Sequence, residues 1–269
     1  MHRDCFVARW RSLLAISRGP GTGKPDDQRL QSTGSPRLNC KAMEFPDLPD
    51  RLHQVRETIE RHRARAGWAH EVRIVAVTKT HPAEAVRAAL AAGLRDVGEN
   101  RVQEALAKQE EVAGLEADWH LIGGLQKNKA RHAAGRFALI HSVDRLDLAH
   151  ELGRRMPAAA RQAVLVQVNC SAEPQKGGVD PKELPALLEA TSCTPGIDLR
   201  GLMTMAAFDA DEAGLRRTFA QLRRLREEAV GRGHQLPELS MGMSGDFAIA
   251  VEEGSTMVRL GTVLFGERR

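Results

Sequence analysis

The stretch Val72-Arg73-Ile74-Val75-Ala76-Val77-Thr78-Lys79 decides how the chain is read. Its apolar residues run on without the polar alternation of a half-exposed strand, so it reads as a strand covered on both faces, Val72–Thr78. Similar short runs recur at Asp96–Gly98, Trp119–Ile122, Ala138–His141, Ala163–Asn169, Leu199–Thr204, Leu239–Met241 and Val258–Leu260. Helical sequence separates each from the next. The clearest helix carries Leu215, Phe219, Leu222 and Leu225 on one face and stops at Gly231-Arg232-Gly233. Ahead of the first strand, Leu48, Leu52, Val55 and Ile59 mark an amphipathic helix ending near Gly67, while Pro82 and Pro181 suit first helical turns, where a missing N–H costs little. Eight strands alternating with helices predict an α/β protein built as a single (β/α)8 TIM-type barrel. An open doubly wound sheet is the alternative. It would place a Gly-rich turn after its first strand, where this chain has Lys79-Thr80-His81-Pro82.

Composition narrows the function classes. At 269 residues, with 42% hydrophobic and 28% charged content, the chain can bury one large core. Its calculated pI of 9.1 suggests a nucleic-acid partner until the charge is located. Eight Lys/Arg against three Asp give residues 1–42 a balance of +5, and since the whole chain is +4 the rest comes to −1. The body is nearly neutral, so neither DNA nor RNA is expected as a partner. Residues 1–42 are Gly-, Pro-, Ser- and Asp-rich beyond Ile16 and read as a disordered extension, or as one translated from a misassigned start with Met43 the true initiator. The barrel then occupies 43–269. Within the extension, Gly19-Pro20-Gly21-Thr22-Gly23-Lys24 fails as a phosphate loop, because Arg18 precedes it, Pro25 follows it and no strand leads in. The cysteines Cys5, Cys40, Cys170 and Cys193 show no metal-ligand spacing, which suits reduced thiols in a cytoplasmic protein. No run is long and apolar enough for a membrane span, and no metal site is expected.

In a barrel the active face is formed by the carboxyl ends of the strands, and phosphate is often held by the loops after strands seven and eight. Lys79 ends strand one, Glu99-Asn100 follow strand two, Asn169 ends strand five, and Ser244 follows strand seven; Arg259 and Gly261-Thr262 belong to strand eight and its loop. A lysine desolvated at a strand end can hold the neutral amine that attacks a carbonyl, whereas a strand-end charge that only stops pairing is the plainer reading. Ser240-Met241-Gly242-Met243-Ser244-Gly245-Asp246 and Val258-Arg259-Leu260-Gly261-Thr262 shift the balance, since hydroxyls, glycines and helix-start amides suit a phosphate. The ligand type this describes is a phosphorylated aldehyde. A cofactor carrier, a cofactor-dependent enzyme and a Schiff-base aldolase for a phosphorylated sugar all remain open on these residues.

Several segments, in unbroken order, resemble the pyridoxal phosphate homeostasis protein family from about Met43 to Gly266. They are Val75-Ala76-Val77-Thr78-Lys79-Thr80, Gly98-Glu99-Asn100-Arg101-Val102-Gln103-Glu104, Trp119-His120-Leu121-Ile122-Gly123, Leu125-Gln126-Lys127-Asn128-Lys129, His141-Ser142-Val143-Asp144, Gly201-Leu202-Met203-Thr204-Met205 and the two C-terminal motifs. The resemblance implies the fold-type III barrel shared with the N-terminal domain of alanine racemase. It implies pyridoxal 5'-phosphate (PLP) as cofactor and Lys79 as the lysine that joins it through a Schiff base. It also implies Arg259 facing the pyridine nitrogen and Ser244, Gly261 and Thr262 at the phosphate, with Asn100 and Asn169 as further polar contacts. The expected function is to carry or buffer PLP in vitamin B6 and amino-acid homeostasis, as a monomer in the cytoplasm, with apo PLP-dependent enzymes as recipients. An amino-acid racemase is the alternative. Arginine does not yield its proton to the ring nitrogen, the sequence has no tyrosine to act as a second base, and the chain ends soon after Gly266, so carriage without catalysis is expected.

The remaining polar residues have plainer readings. His120 and His141 are expected to hydrogen-bond between loops, and Met203/Met205 and Met241/Met243 to pack in the core, with one member of a pair the candidate to lie against the cofactor ring. Glu99 orients a neighbour or solvates a loop. Lys176 is a loop lysine near a racemase cofactor position. Gly124 and Cys170 depart from the family pattern, and Cys170 is expected to be a passive small residue.

Overall fold

The computed structural model describes residues 45–171, 173 and 177–267. The extension expected over 1–42, with Cys5, Cys40 and the glycine-rich stretch at 19–24, lies outside them, as do Met43 and Lys176.

The described chain runs α1 (Leu48–Ala66), β1 (Arg73–Val77), α2 (Ala83–Ala91), β2 (Asp96–Glu99), α3 (Val102–Glu111), β3 (Asp118–Leu121), α4 (Ala130–Ala133) and β4 (Leu139–Val143). It continues through α5 (Leu146–Arg154), β5 (Gln162–Gln167), α6 (Leu184–Ser192), β6 (Ile197–Met203), α7 (Glu212–Gly231), β7 (Glu238–Ser240), α8 (Phe247–Glu252), β8 (Met257–Leu260) and α9 (Thr262–Phe265). The strands form a closed parallel barrel in sequence order. Closure is made by β1 against β8, with Arg73 opposite Met257 and Ala76 opposite Leu260. The open-sheet alternative is therefore overturned, since the first and last strands are partners.

Barrel strands send alternate side chains inward and outward, and both directions are apolar here, which explains the continuous hydrophobic runs. Val75 and Met257 point inward with Leu139, Leu165 and Met203. Ile74, Ala76, Val258 and Leu260 point outward and pack under α1, α2, α8 and α9. On α1 the buried residues are Leu48, Leu52, Val55 and Ile59, one stripe at helical spacing. The helix stops where Gly67 takes a left-handed φ of 76° and its N–H returns to Ala64 O. On α7, Phe219 and Leu222 are buried with no exposure. One proline differs from expectation. Pro181 sits in a turn organised by Asp180, whose carboxylate accepts Lys182 N–H at 2.8 Å, and the helix starts only at Leu184 with Pro185 in its first turn. Among the described residues no helix is long and apolar enough to cross a membrane.

Candidate functional site

At the carboxyl ends of the strands, Lys79, Asn100, Ser244, Arg259, Gly261 and Thr262 line one cavity of about 470 Å³. Six of the seven residues singled out for cofactor contact thus meet in one place. Asn169 is not among the cavity's lining residues. Its side-chain amide donates to Glu173 O at 3.0 Å and its carbonyl accepts Ser171 Oγ at 3.2 Å, so it organises the loop after β5.

Lys79 is half-buried and stands two residues beyond the end of β1. Thr80, next to it, has a φ of 64°, the only left-handed non-glycine among the described residues. For a β-branched residue this conformation costs about 1–3 kcal/mol and persists only where the surroundings hold it. A buried ion cluster does so. Lys108 on α3, 6% exposed, donates to Glu99 Oε1 at 2.7 Å, to Glu104 Oε1 at 3.1 Å and to Thr78 O at 2.8 Å. Glu99 also accepts Thr78 Oγ1 at 2.6 Å, and Glu104 accepts Thr80 N–H at 2.7 Å. Both neighbours of Lys79 are thereby anchored to one buried lysine. Burial raises the Glu99 carboxyl above its usual range despite Lys108 and Thr78. For Glu104 burial works in the same direction, but the Thr80 and Lys108 hydrogen bonds outweigh it and the carboxyl is lowered. Glu99 is therefore an orienting residue and does not serve to solvate a loop.

Across the mouth, Gly242 turns the chain out of β7 at a φ of 94°, and a Cβ there would lie 2.6 Å from that of Ala250, so only glycine fits. That turn brings Ser244 to the start of α9, where its Oγ accepts Gly261 N–H at 3.2 Å and Val263 N–H at 3.3 Å. Two backbone amides and a hydroxyl converge there, with the exposed Thr262 beside them; such a group can be turned toward an anion. The Val263 amide has no side-chain signature and was invisible in the sequence.

Arg259 is 4% exposed and enters the cavity floor from β8. It donates through Nη1 to Ser240 Oγ at 2.6 Å and through Nη2 to Thr204 O at 2.9 Å. Burial pushes its pKa down to about 10, which leaves it charged at neutral pH. The methionine pairs are split: Met203 and Met241 are fully buried, while Met205 and Met243 lie past their strands and line the cavity with Phe208. His120 and His141 do not link loops. They point into the barrel interior and hydrogen-bond to each other at 2.9 Å. Cys170 is buried and burial raises its thiol to about 11, so it is a protonated, packed thiol. Around Gly124 a Cβ would meet nothing within 4 Å, so the fold does not require glycine there.

The sequence profile of the alanine racemase N-terminal domain matches residues 51–269. Among curated relatives, the pyridoxal phosphate homeostasis protein of Aquifex aeolicus is 43% identical over 223 residues, 82% of this chain and 98% of that protein. Its counterpart in Pseudomonas aeruginosa is 50% identical over 198 residues, 73% of this chain and 85% of that one. Among solved structures, PipY of Synechococcus elongatus, with PLP bound, superposes with a TM-score of 0.72 at 41% identity, covering 81% of this chain and all (100%) of PipY. With its sequence matched over most of both lengths, the chain belongs to the alanine racemase N-terminal domain family and, within it, to the pyridoxal phosphate homeostasis proteins.

Proposed function

We propose that the chain binds pyridoxal 5'-phosphate at the barrel mouth and carries or buffers it in vitamin B6 and amino-acid homeostasis, without appreciable turnover. The observation that carries this reading is the convergence of Lys79 with Ser244, Gly261, Thr262 and Arg259 on one cavity, although they lie at opposite ends of the sequence. The donor set fits the cofactor. When bound, PLP supplies an aldehyde carbon open to amine attack and a phosphate ester. Lys79 supplies the amine, held on a turn that the Lys108 cluster fixes. The Ser244 and Thr262 hydroxyls, with the Gly261 and Val263 amides turned from Ser244 Oγ, would hold the phosphate oxygens. Asn100 adds an amide on the Lys79 side. Arg259 would face the ring nitrogen and keep its own proton, which would leave the ring a weaker electron sink than a protonated pyridine. Met205 and Met243 would offer apolar surface beside the ring, with the fully exposed Phe208 at the rim of the cavity.

Two features favour carriage over catalysis. The only titratable side chains lining the cavity among the described residues are Lys79, Asp246 and Arg259. The sequence has no tyrosine to serve as a second base. The Asp246 carboxylate accepts Met243 N–H at 2.5 Å and so braces the loop after β7. We place the protein in the cytoplasm as a monomer, giving up its cofactor to apo PLP-dependent enzymes by exchange with an incoming amine.

Wild-type protein mixed with PLP is expected to gain a visible absorbance band that Lys79→Ala lacks while keeping its far-UV spectrum. A colourless wild type would sink the reading. Incubation with L-alanine followed by chiral analysis is expected to return L-alanine; Lys79-dependent loss of optical purity would instead establish a racemase.

A further inference from the structure

Behind Arg259 runs a line of polar side chains that cofactor binding alone does not use. Arg259 Nη1 donates to Ser240 Oγ at 2.6 Å. Ser240 Oγ lies 2.9 Å from His141 Nδ1, His141 Nε2 lies 2.9 Å from His120 Nδ1, and His120 Nε2 lies 2.9 Å from Asp96 Oδ1. The line starts on β8, passes β7, crosses the barrel interior to β4, and returns along β3 to β2. Ser240 and His141 have no exposure and His120 has 2%. At its far end, Asp96 and His120 open onto a separate polar cavity of about 270 Å³, lined also by Arg73, Asp118, Arg200 and Glu238 at the amino ends of the strands. The line therefore joins the two ends of the barrel. An interior of this kind is ordinarily filled by branched aliphatic side chains, and here each imidazole nitrogen in the line has a hydrogen-bond partner instead.

The directions along the line follow from counting protons. A carboxylate only accepts, so His120 Nε2 carries the hydrogen that faces Asp96. If His120 is neutral, its Nδ1 must accept, so His141 donates through Nε2 and accepts the Ser240 hydroxyl at Nδ1. Every donor then points from Arg259 toward Asp96. If His120 takes up one proton from solvent, its Nδ1 becomes a donor. His141, remaining neutral, must then hold its single hydrogen on Nδ1, and Ser240 Oγ receives donors from both His141 and Arg259. The two states differ by one proton on His120 and by transfer of the His141 hydrogen from Nε2 to Nδ1. His141 itself stays uncharged: burial, and then the charges of His120, Arg259 and Arg73, hold its pKa well below the usual histidine range. Burial would raise Asp96, but the hydrogen bond and charge of His120, with Arg73, outweigh it and keep the carboxyl ionised.

We propose that Ser240, His141 and His120 are positioning residues for Arg259, and that protonation of His120 at the closed end of the barrel reverses the Ser240–His141 hydrogen bond behind the guanidinium at the mouth. The groups that face His120 are Asp96 on β2 and His141 on β4, with Arg73, Asp118, Arg200 and Glu238 around the lower cavity. Those that face His141 are His120, Ser240 and Arg259. The consequence for the cofactor rests on the reading that Arg259 meets the ring nitrogen, whereas the line itself does not.

Nitrogen-15 NMR of histidine-labelled, cofactor-free protein between about pH 5 and 9 tests the line directly. Signals are assigned with His120→Phe and His141→Phe. The expected result is that His141 stays neutral and changes from an Nε2–H to an Nδ1–H tautomer in step with His120. One unchanging His141 tautomer, or a His120 that keeps one state throughout, would overturn the proposal. The PLP-loaded protein supplies a second measurement, the pH profile of its visible absorbance. Asp96→Asn, on the far side of the barrel from the mouth, is expected to change that profile, because the hydrogen-bonded anion that ends the line is gone. A profile identical to wild type would also overturn it. Protein that takes up no PLP would defeat the functional reading and leave the NMR result to decide this one.

Discussion

Gly261 has a φ of −115°, open to any residue, and a Cβ there would meet Val77 atoms only at 3.4–3.8 Å. The fold thus tolerates a side chain at 261, and under the proposed function the glycine would serve the approach of the phosphate to its amide. Gly261→Ala is expected to melt close to wild type while binding PLP about tenfold or more weakly, a loss of about 1–2 kcal/mol from a spoiled charge-assisted hydrogen bond. Thermal melting and a PLP titration on the same sample separate the two effects. Cys170 makes a contrasting case. Its thiol is raised to about 11 by burial, so in the folded protein iodoacetamide is expected to label the exposed Cys193 long before Cys170, read peptide by peptide in a mass spectrometer.

The short element between β1 and α2 owes its shape to α3. Lys108→Met would leave Glu99 buried without its cation and Thr78 O with only the His81 N–H as donor, which is expected to cost about 3–5 kcal/mol in a urea melt. Adding Glu99→Gln is expected to recover part of that, because the uncompensated charge is gone. The sequence carries a signal for this cluster in the pattern of α3. Val102, Ala105 and Lys108 share the buried face of α3, and a lysine on an apolar stripe asks for a buried carboxylate. Strand placement was legible because each core strand is apolar on both faces, and every expected strand overlaps an observed one. The helix after Pro181 was misplaced because Asp180 forms a turn through its side chain, which the proline alone does not reveal. The cradle at Ser244 was legible in its hydroxyl and glycines. The Val263 amide, and the contact of His141 with Ser240 99 positions away in sequence, arise only from closure of the barrel.

At the scale of the molecule, that polar interior makes stability depend on pH. His141 is wholly buried and its pKa is held well below the usual histidine value. As pH falls through about 6.5 the unfolded chain binds a proton that the folded chain refuses, so the unfolded state gains and folding stability drops. The slope reaches at most about 1.4 kcal/mol per pH unit and levels off below the depressed folded value. Urea midpoints between about pH 7 and 5 are expected to fall for wild type and to fall less for His141→Phe. The barrel also brings the motifs near residues 79 and 259 side by side: β1 and β8 are neighbours, with Val75 opposite Arg259. Proteolytic mass mapping of PLP-loaded protein after borohydride reduction asks most directly whether that junction is the cofactor site. A pyridoxyl phosphate mass added to the peptide containing Lys79, and absent in Lys79→Ala, is the predicted result; the adduct on another lysine, or none at all, would contradict it.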